Sequence, residues 1–183
     1  MTSSTTNGQT EIIVTGFGGQ GIILTGRILG MAASLGDKKE STLVQAYGPE
    51  SRGGACNAQV IISNTPIHYP YVNRPHILVA MSQAGYDKFA ASLAPDSVLL
   101  VDQDLVHPEE AACDHFAIPA TRMAENLGNK MMANIIMLGF CTAITGAVTN
   151  AAAQAMVRQS VPRGTEDRNI EAFTKGYDYG LST

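Results

Sequence analysis

A glycine-rich turn, GFGGQG at residues 16–21, stands between a short β-branched run (EIIVT, residues 11–15) and a stretch with helical spacing of apolar residues at Ile22, Ile23, Leu24, Ile28, Leu29 and Ala32. Strand, tight turn and helix open a βαβ unit, and such a unit commits a chain to a sheet whose strands run largely in parallel. A second turn, YGPESRGG at residues 47–54, also follows a β-type run directly. In an open parallel sheet, turns of this kind lie at the carboxyl edge of the strands, where ligands and partner surfaces meet. Function is to be sought along that edge.

The remaining periodicities keep the rhythm. Gly36 is a suitable helix stop. Residues 41–46 (STLVQA) and 58–63 (AQVIIS) read as strands, the latter closed by the turn Asn64-Thr65-Pro66. HILVAM (residues 76–81) is an unbroken apolar run of the kind buried on both faces. Ser82 suits the N-cap of a helix reaching Ala91. DSVLLV (residues 96–101) is a further strand, stopped at Asp102, and residues 116–118 form a short one. Helices are predicted at 121–127, 130–145, about 150–159 and about 166–177. The expected fold is α/β: a doubly wound, Rossmann-like, mostly parallel sheet with additional C-terminal helices. Residues 11–183 form a single domain behind a small-polar tail, residues 1–10, that is expected to be mobile. A length of 183 residues suits one such domain.

Composition narrows the partners. The chain is 45% hydrophobic and 15% charged, with a formal net charge of -4 and no run of like charges. Neither nucleic acid nor an anionic membrane is an expected partner. Low charge also suits a surface partly covered in a complex, which needs fewer solvating groups. The most apolar segment, residues 131–147, holds Asn134, two threonines and Gly139. At about 17 residues it reaches only the lower limit for crossing a bilayer, so a core helix or a helix at a subunit contact is expected. The start, MTSSTTNGQTE, has neither a basic nor an apolar leader region, so no secretory signal is expected and the cytoplasm is the default compartment. Cys56, Cys113 and Cys141 are widely spaced, without C-x-x-C or a Cys/His cluster. That excludes the usual iron–sulfur and zinc patterns within the chain and leaves free buried thiols as the expectation, with a ligand shared with another subunit still open.

Gly16, Gly18 and Gly21 match G-x-G-x-x-G, where backbone N–H groups and a helix dipole suit a phosphate. The acid that should end the second strand and hold a ribose hydroxyl is missing, because STLVQAY runs into Gly48-Pro49; Asp37 and Glu40 precede that strand. A G-K-[ST] phosphate loop is also missing. The plain alternative is that the glycines only permit close strand–helix packing. Gln20 weighs against it: a polar amide at a helix start, with Gly19 and Gly21 on either side, is placed to bind a ligand or another chain's backbone. The second turn sets Tyr47, Glu50, Ser51 and Arg52 among Gly48, Gly53 and Gly54. Arg52 can clamp a carboxylate or phosphate bidentately, or pair with Glu50 or a neighbouring subunit; a solvated loop is the alternative.

Other polar residues read as structural. His68, His76, His107 and His115 show no i, i+4 pairing and suit strand ends or loops. Asp102-Gln103-Asp104 reads as a solvated turn, with a cation at the strand end as the alternative. Met123, Met131, Met132 and Met137 sit at helical spacing and are expected in the core or a subunit seam. Tyr69-Pro70-Tyr71 is either a rigid contact segment or simple turn packing.

GFGGQGIILTGRIL, followed by YGPESRGG, AQVIIS and HILVAMSQAGYDKF, resembles the gamma subunit of the 2-oxoacid:ferredoxin oxidoreductases and the equivalent domain of the single-chain pyruvate:ferredoxin enzymes. IPATRMAENLGNKMMANIIMLGF and VPRGTEDRNIEAFTKGYDYG are similar to the same family, so the resemblance covers nearly the whole chain. It implies oxidative decarboxylation of a 2-oxoacid, with coenzyme A taking the acyl group and ferredoxin the electrons. It also implies that thiamine diphosphate, its magnesium and the iron–sulfur clusters are held by partner alpha, beta and delta ferredoxin-like subunits, none by this chain alone. The thiamine fold's magnesium motif begins Gly-Asp-Gly. The nearest match, Gly36-Asp37-Lys38, lacks the second glycine and reads as a helix stop.

The resemblance therefore makes this chain a subunit that supplies enclosure and recognition, inactive alone. Its candidate ligand or interface residues are Gly16, Gly18, Gly19, Gln20, Gly21, Tyr47, Gly48, Glu50, Ser51, Arg52, Gly53, Ser82 and Gln83; no catalytic residue or metal ligand is assigned. The carboxyl edge would close one wall of the reaction cleft and keep water from a radical or carbanionic intermediate. Coenzyme A is a candidate ligand of Gly19 to Gly21 or Arg52. The SRGG loop with AQVIIS, and the VPRGTEDRNIEAF stretch, are closest to the 2-oxoglutarate type; pyruvate and branched-chain or aryl 2-oxoacids are the alternatives. Two readings of other classes remain, a stand-alone nucleotide-binding Rossmann protein and a purely structural assembly subunit.

Overall fold

The computed structural model describes residues 8–47, 55–94, 96–109 and 113–183. Its strands are β1 (Gln9–Phe17), β2 (Glu40–Tyr47), β3 (Ala55–Ser63), β4 (Ile77–Ala80), β5 (Val98–Asp102) and β6 (Asp114–Ile118). They bond into one sheet in the order β2-β3-β1-β4-β5-β6. β1, β4, β5 and β6 pair in parallel, whereas β3 is antiparallel to both β1 and β2. β1 and β2 therefore point the same way, and β3 alone runs against the rest.

This arrangement follows from connection lengths. Helix α1 (Ile22–Met31) carries the chain from β1 to β2 but leaves a strand's width between them. Only residues 48–54 separate β2 from β3, too few for the crossover a parallel neighbour needs, so β3 turns back into the gap. The predicted βαβ rhythm is present as a split unit. β1 begins at Gln9, earlier than predicted, because Gln9 and Thr10 pair with Ser63 and Ile62.

One face of the sheet carries α1, α3 (Ala120–Asn126), α4 (Ala133–Thr145), α5 (Asn150–Ser160) and α6 (Glu166–Leu181). There Ile12, Val14, Val60, Val79 and Leu100 share a core with Ile22, Leu29, Phe140 and Phe173. The other face is covered by α2 (Gln83–Phe89) around a smaller core of Ile13, Leu78, Leu99, Val101 and Tyr86. All four residues of β4 are buried, as an unbroken apolar run requires between two helical layers.

The predicted first helix ends sooner than its periodicity suggests. After Met31 it widens into a π-helical turn, Ala32–Gly36, where Gly36 lies against the backbone of Ala152 with no room for a side chain. Asp37 then accepts hydrogen bonds from Thr149 N and Oγ1 at 2.8 and 2.6 Å, tying this turn to the N-cap of α5. The apolar segment at 131–147 is mainly the core helix α4, buried from Ala133 through Thr142. Gly139 and Gly176 let α4 and α6 touch at backbone distance, since a Cβ on either would fall on a carbonyl of the other helix. Among the described residues no helix is long and apolar enough to cross a membrane.

Candidate functional site

The register brings the first predicted turn and the end of β2 to one edge. Gly16 and Tyr47 both pair with Cys56 of β3, and Thr15 pairs with Ala80 of β4. The turn after β1, the end of β2 and the Ser82-Gln83 corner after β4 therefore leave the sheet on the same side. Gly48, Glu50, Ser51, Arg52 and Gly53 lie outside the described residues, and Tyr47 is described only as the last residue of β2. From β1 the chain passes to α1 on one face; from β4 it passes to α2 on the other. The ends of β1 and β4 thus flank the switch point of the sheet, where open α/β folds hold their ligands.

Packing explains the glycines of the first turn in part. A Cβ on Gly16 would stand 2.5 Å from Gln20 Oε1 and 2.6 Å from Ile22 Cδ1. Gly19 (φ 96°) and Gly21 (φ 76°) adopt left-handed conformations that disfavour side chains. Gln20 is committed within the chain: Oε1 accepts from Phe17 N at 2.6 Å and Nε2 donates to Met81 O at 2.9 Å. Its oxygen and one N–H thus bridge the end of β1 to Met81, the residue after β4. Ser82 Oγ accepts from Gly85 N at 3.1 Å, the predicted N-cap of α2. Gln83 donates to Asp87 Oδ1 and accepts from His107 N, both at 2.8 Å, pinning the segment after β5.

A hollow of about 280 Å³ opens at this switch point, lined by Gly18, Gly19, Gln20, Met81, Thr121, Lys130, Met131 and Ala133. Lys130 is paired with Glu125 at 3.5 Å, but both side chains are largely solvated, so the pair holds the ammonium weakly. Met131, expected in the core or a seam, is 62% exposed, while Met132 and Met137 are buried. Beyond Met131 a second hollow of about 260 Å³ is lined by Gly21, Leu24, Asn134, Arg168 and Asn169 among others. Asn134 Nδ2 donates to Gly21 O at 3.2 Å, and its side chain packs where a Cβ of Gly21 would stand. The start of α1 is thereby covered by α4. Together with β3 lying between β1 and β2, this departs from the open phosphate cradle and neighbouring ribose-binding strand of dinucleotide folds.

Asp102 is not the solvated turn residue that its sequence suggests. It is fully buried at the end of β5, and its Oδ2 accepts from Thr121 N at 2.9 Å and Thr121 Oγ1 at 2.6 Å; Oδ1 accepts from Asp104 N at 3.2 Å. Three donors satisfy a carboxylate that burial would otherwise penalise. Thr121, Lys130 and Asn134 escape sequence reasoning because they come from distant segments with no local signature. Asp102 does carry a signal, a carboxylate directly after an unbroken apolar strand at the ligand-binding edge.

The three cysteines are free and buried. Desolvation pushes the Cys141 thiol up to about 12 and raises those of Cys56 and Cys113, so all three stay protonated and unreactive near neutrality. Among the described residues no three His, Cys, Asp or Glu side chains converge as a metal-binding group. This donor set fits neither an iron–sulfur cluster nor the magnesium of a thiamine site.

Comparisons with known proteins agree with the fold. The family model of pyruvate ferredoxin/flavodoxin oxidoreductase matches residues 11–179. A 2-oxoglutarate synthase subunit KorC of Methanocaldococcus jannaschii is 47% identical over 172 residues, covering 92% of this chain and 92% of that one. A pyruvate synthase subunit PorC of Methanothermobacter marburgensis is 32% identical over 172 residues, covering 92% and 96%. The crystal structure of a keto/oxoacid ferredoxin oxidoreductase gamma subunit from Geobacter sulfurreducens superposes with a TM-score of 0.85 at 38% identity, covering 95% of this chain and 99% of that one.

Proposed function

The chain belongs to the pyruvate ferredoxin/flavodoxin oxidoreductase family, and from that premise we propose that it is the gamma subunit of a 2-oxoacid:ferredoxin oxidoreductase whose substrate is 2-oxoglutarate. The observation that carries this reading is the match to a 2-oxoglutarate synthase subunit along more than nine-tenths of both chains. Three 2-oxoglutarate synthase subunits are 44% to 47% identical to this chain, against 32% for a pyruvate synthase subunit, which favours 2-oxoglutarate over pyruvate.

Thiamine diphosphate with its magnesium, and the iron–sulfur clusters, belong on this reading to the alpha, beta and delta-type partner subunits. This chain's residues do other work. The corner at Gly18, Gly19 and Gln20, tied to Met81, forms a rigid wall, and exposed Phe17 and Met131 beside it offer apolar surface to a partner. A wall of this kind keeps water and protons from a reactive intermediate. Arg52, on sequence grounds, is a clamp for a phosphate of coenzyme A.

The test is co-expression with the thiamine- and cluster-bearing subunits, followed by assay of coenzyme A-dependent ferredoxin reduction. The expected result is a complex containing this chain, with far higher kcat/KM for 2-oxoglutarate than for pyruvate. Tightly bound flavin or nicotinamide in this chain alone, or recovery without companion chains, would overturn the proposal.

A further inference from the structure

We propose that the exposed pair Tyr69 and Tyr71, with Arg74 beside it, is a second docking surface, and that its occupant is a carboxylate-bearing segment of a companion subunit. The inference rests on the functional reading above, which supplies companion subunits but gives this surface no role. Residues 64–76 join β3 to β4 without a helix or strand. An irregular connection of this length in a compact domain is uncommon and is usually functional.

The segment is nonetheless fixed in place. Thr65 N donates to Ser63 Oγ at 3.0 Å, and Val72 N donates to Gln59 Oε1 at 3.1 Å. Asn73 N and Arg74 N both donate to Glu11 Oε2, at 3.0 and 3.1 Å. Ser97 Oγ donates to Pro75 O at 2.8 Å, and Glu11 N donates to His76 Nδ1 at 3.0 Å. Pro66, Pro70 and Pro75 restrict the backbone further. None of these tethers involves the corner at Gly18 to Gln20, so the surface is separate from the edge described above.

On this braced segment Tyr69 is 56% exposed and Tyr71 50%, with ring centroids 5.4 Å apart and ring planes at 52°. Simple turn packing would bury these rings; the residue that turns onto the smaller core is Val72. Tilted rings leave a notch between their faces. Tyrosine brings a large contact area at low entropic cost, and Tyr and Arg are enriched among the residues that dominate protein contacts. The exposed basic side chains of the segment are His68 and Arg74. Glu11, the acid in contact with it, already accepts two backbone N–H groups. The rim therefore offers donors to a carboxylate, and the ring faces offer apolar area. A second copy of this chain is the poorer occupant, because a two-fold contact would set the same basic rim against itself.

The experiment titrates the full chain into the complex of its companion subunits, at low and at high salt, and compares a Tyr69→Ala, Tyr71→Ala double variant and Arg74→Glu with wild type. These are surface positions, so thermal unfolding of each isolated chain should stay near wild type. The double variant is expected to bind at least about tenfold more weakly at either salt. Arg74→Glu is expected to bind about tenfold more weakly at low salt, with a smaller loss at high salt, where charges are screened. Should the tyrosine variant fail to fold, Arg74→Glu carries the test alone. Affinity of the double variant within about twofold of wild type would overturn the inference. So would undiminished binding by Arg74→Glu, or an isolated chain that dimerises through these tyrosines. Failure of the wild-type chain to join the complex would instead overturn the functional reading, and this one with it.

Discussion

Gln20 Nε2 donates to the carbonyl of Met81 at 2.9 Å, so one side chain ties the turn after β1 to the end of β4 across the switch point of the sheet. Its Oε1 meanwhile accepts from Phe17 N at 2.6 Å. These two bonds fix one wall of the hollow beside it, and a wall fixed by bonds within the chain lowers the ordering cost of binding.

Replacing Gln20 by alanine removes both bonds and is expected to lower stability by about 1–3 kcal/mol. Gln20→Glu keeps the acceptor for Phe17 but sets a carboxylate against the Met81 carbonyl, so it should destabilise at least as much at neutral pH. Urea unfolding midpoints check both; a glutamate variant as stable as wild type would show that the bond to Met81 contributes nothing.

Gly21 and Gly128 have nearly the same left-handed backbone, φ 76° and 80°, but different surroundings. A Cβ on Gly128 meets open space, whereas one on Gly21 runs into Asn134. Gly128→Ala should cost about 1–2 kcal/mol, the backbone strain alone. Gly21→Ala should cost about 1–3 kcal/mol more, because it overpacks the contact with α4. The excess should vanish in an Asn134→Ala background, measured as a double-mutant cycle.

The Cys141 thiol is pushed from its ordinary 9.0 to about 12 by burial. The folded chain then keeps a proton that the unfolded chain loses, so this contribution to stability is intact below about pH 9 and declines as pH rises toward about 12. Unfolding midpoints measured from about pH 8 to about pH 11 should fall less steeply for Cys141→Ala than for wild type. Equal slopes would refute the assignment.

Phe17 is 40% exposed and Met131 62% exposed, both beside the switch-point corner. Met131→Lys should leave the melting of the isolated chain nearly unchanged, since surface substitutions typically shift stability by less than about 0.5 kcal/mol. The same variant should reduce recovery of the chain with its partner subunits. Undiminished recovery in a Phe17→Ala, Met131→Lys double variant would remove this edge from the interface.

Much of this molecule is legible in one dimension because local periodicity reports which faces are buried. EIIVT, HILVAM and DSVLLV became β1, β4 and β5, and the apolar stretch after residue 130 became the core helix α4. Resemblance along several ordered motifs was likewise readable without coordinates. Gln20, in contrast, looked free for a foreign partner, because nothing local announces that residue 81 supplies its acceptor.

The chain by itself determined its elements, their order and the edge on which the first glycine turn and the end of β2 lie, since strand direction and connection length follow from local pattern. Tertiary structure alone decided that β3 enters between β1 and β2, that Asn134 covers Gly21, and that Asp102 is buried against Thr121. Those outcomes depend on which distant groups can satisfy one another's hydrogen bonds once water is excluded. That is a property of contacts 19 to 113 positions apart, and no window along the chain contains it.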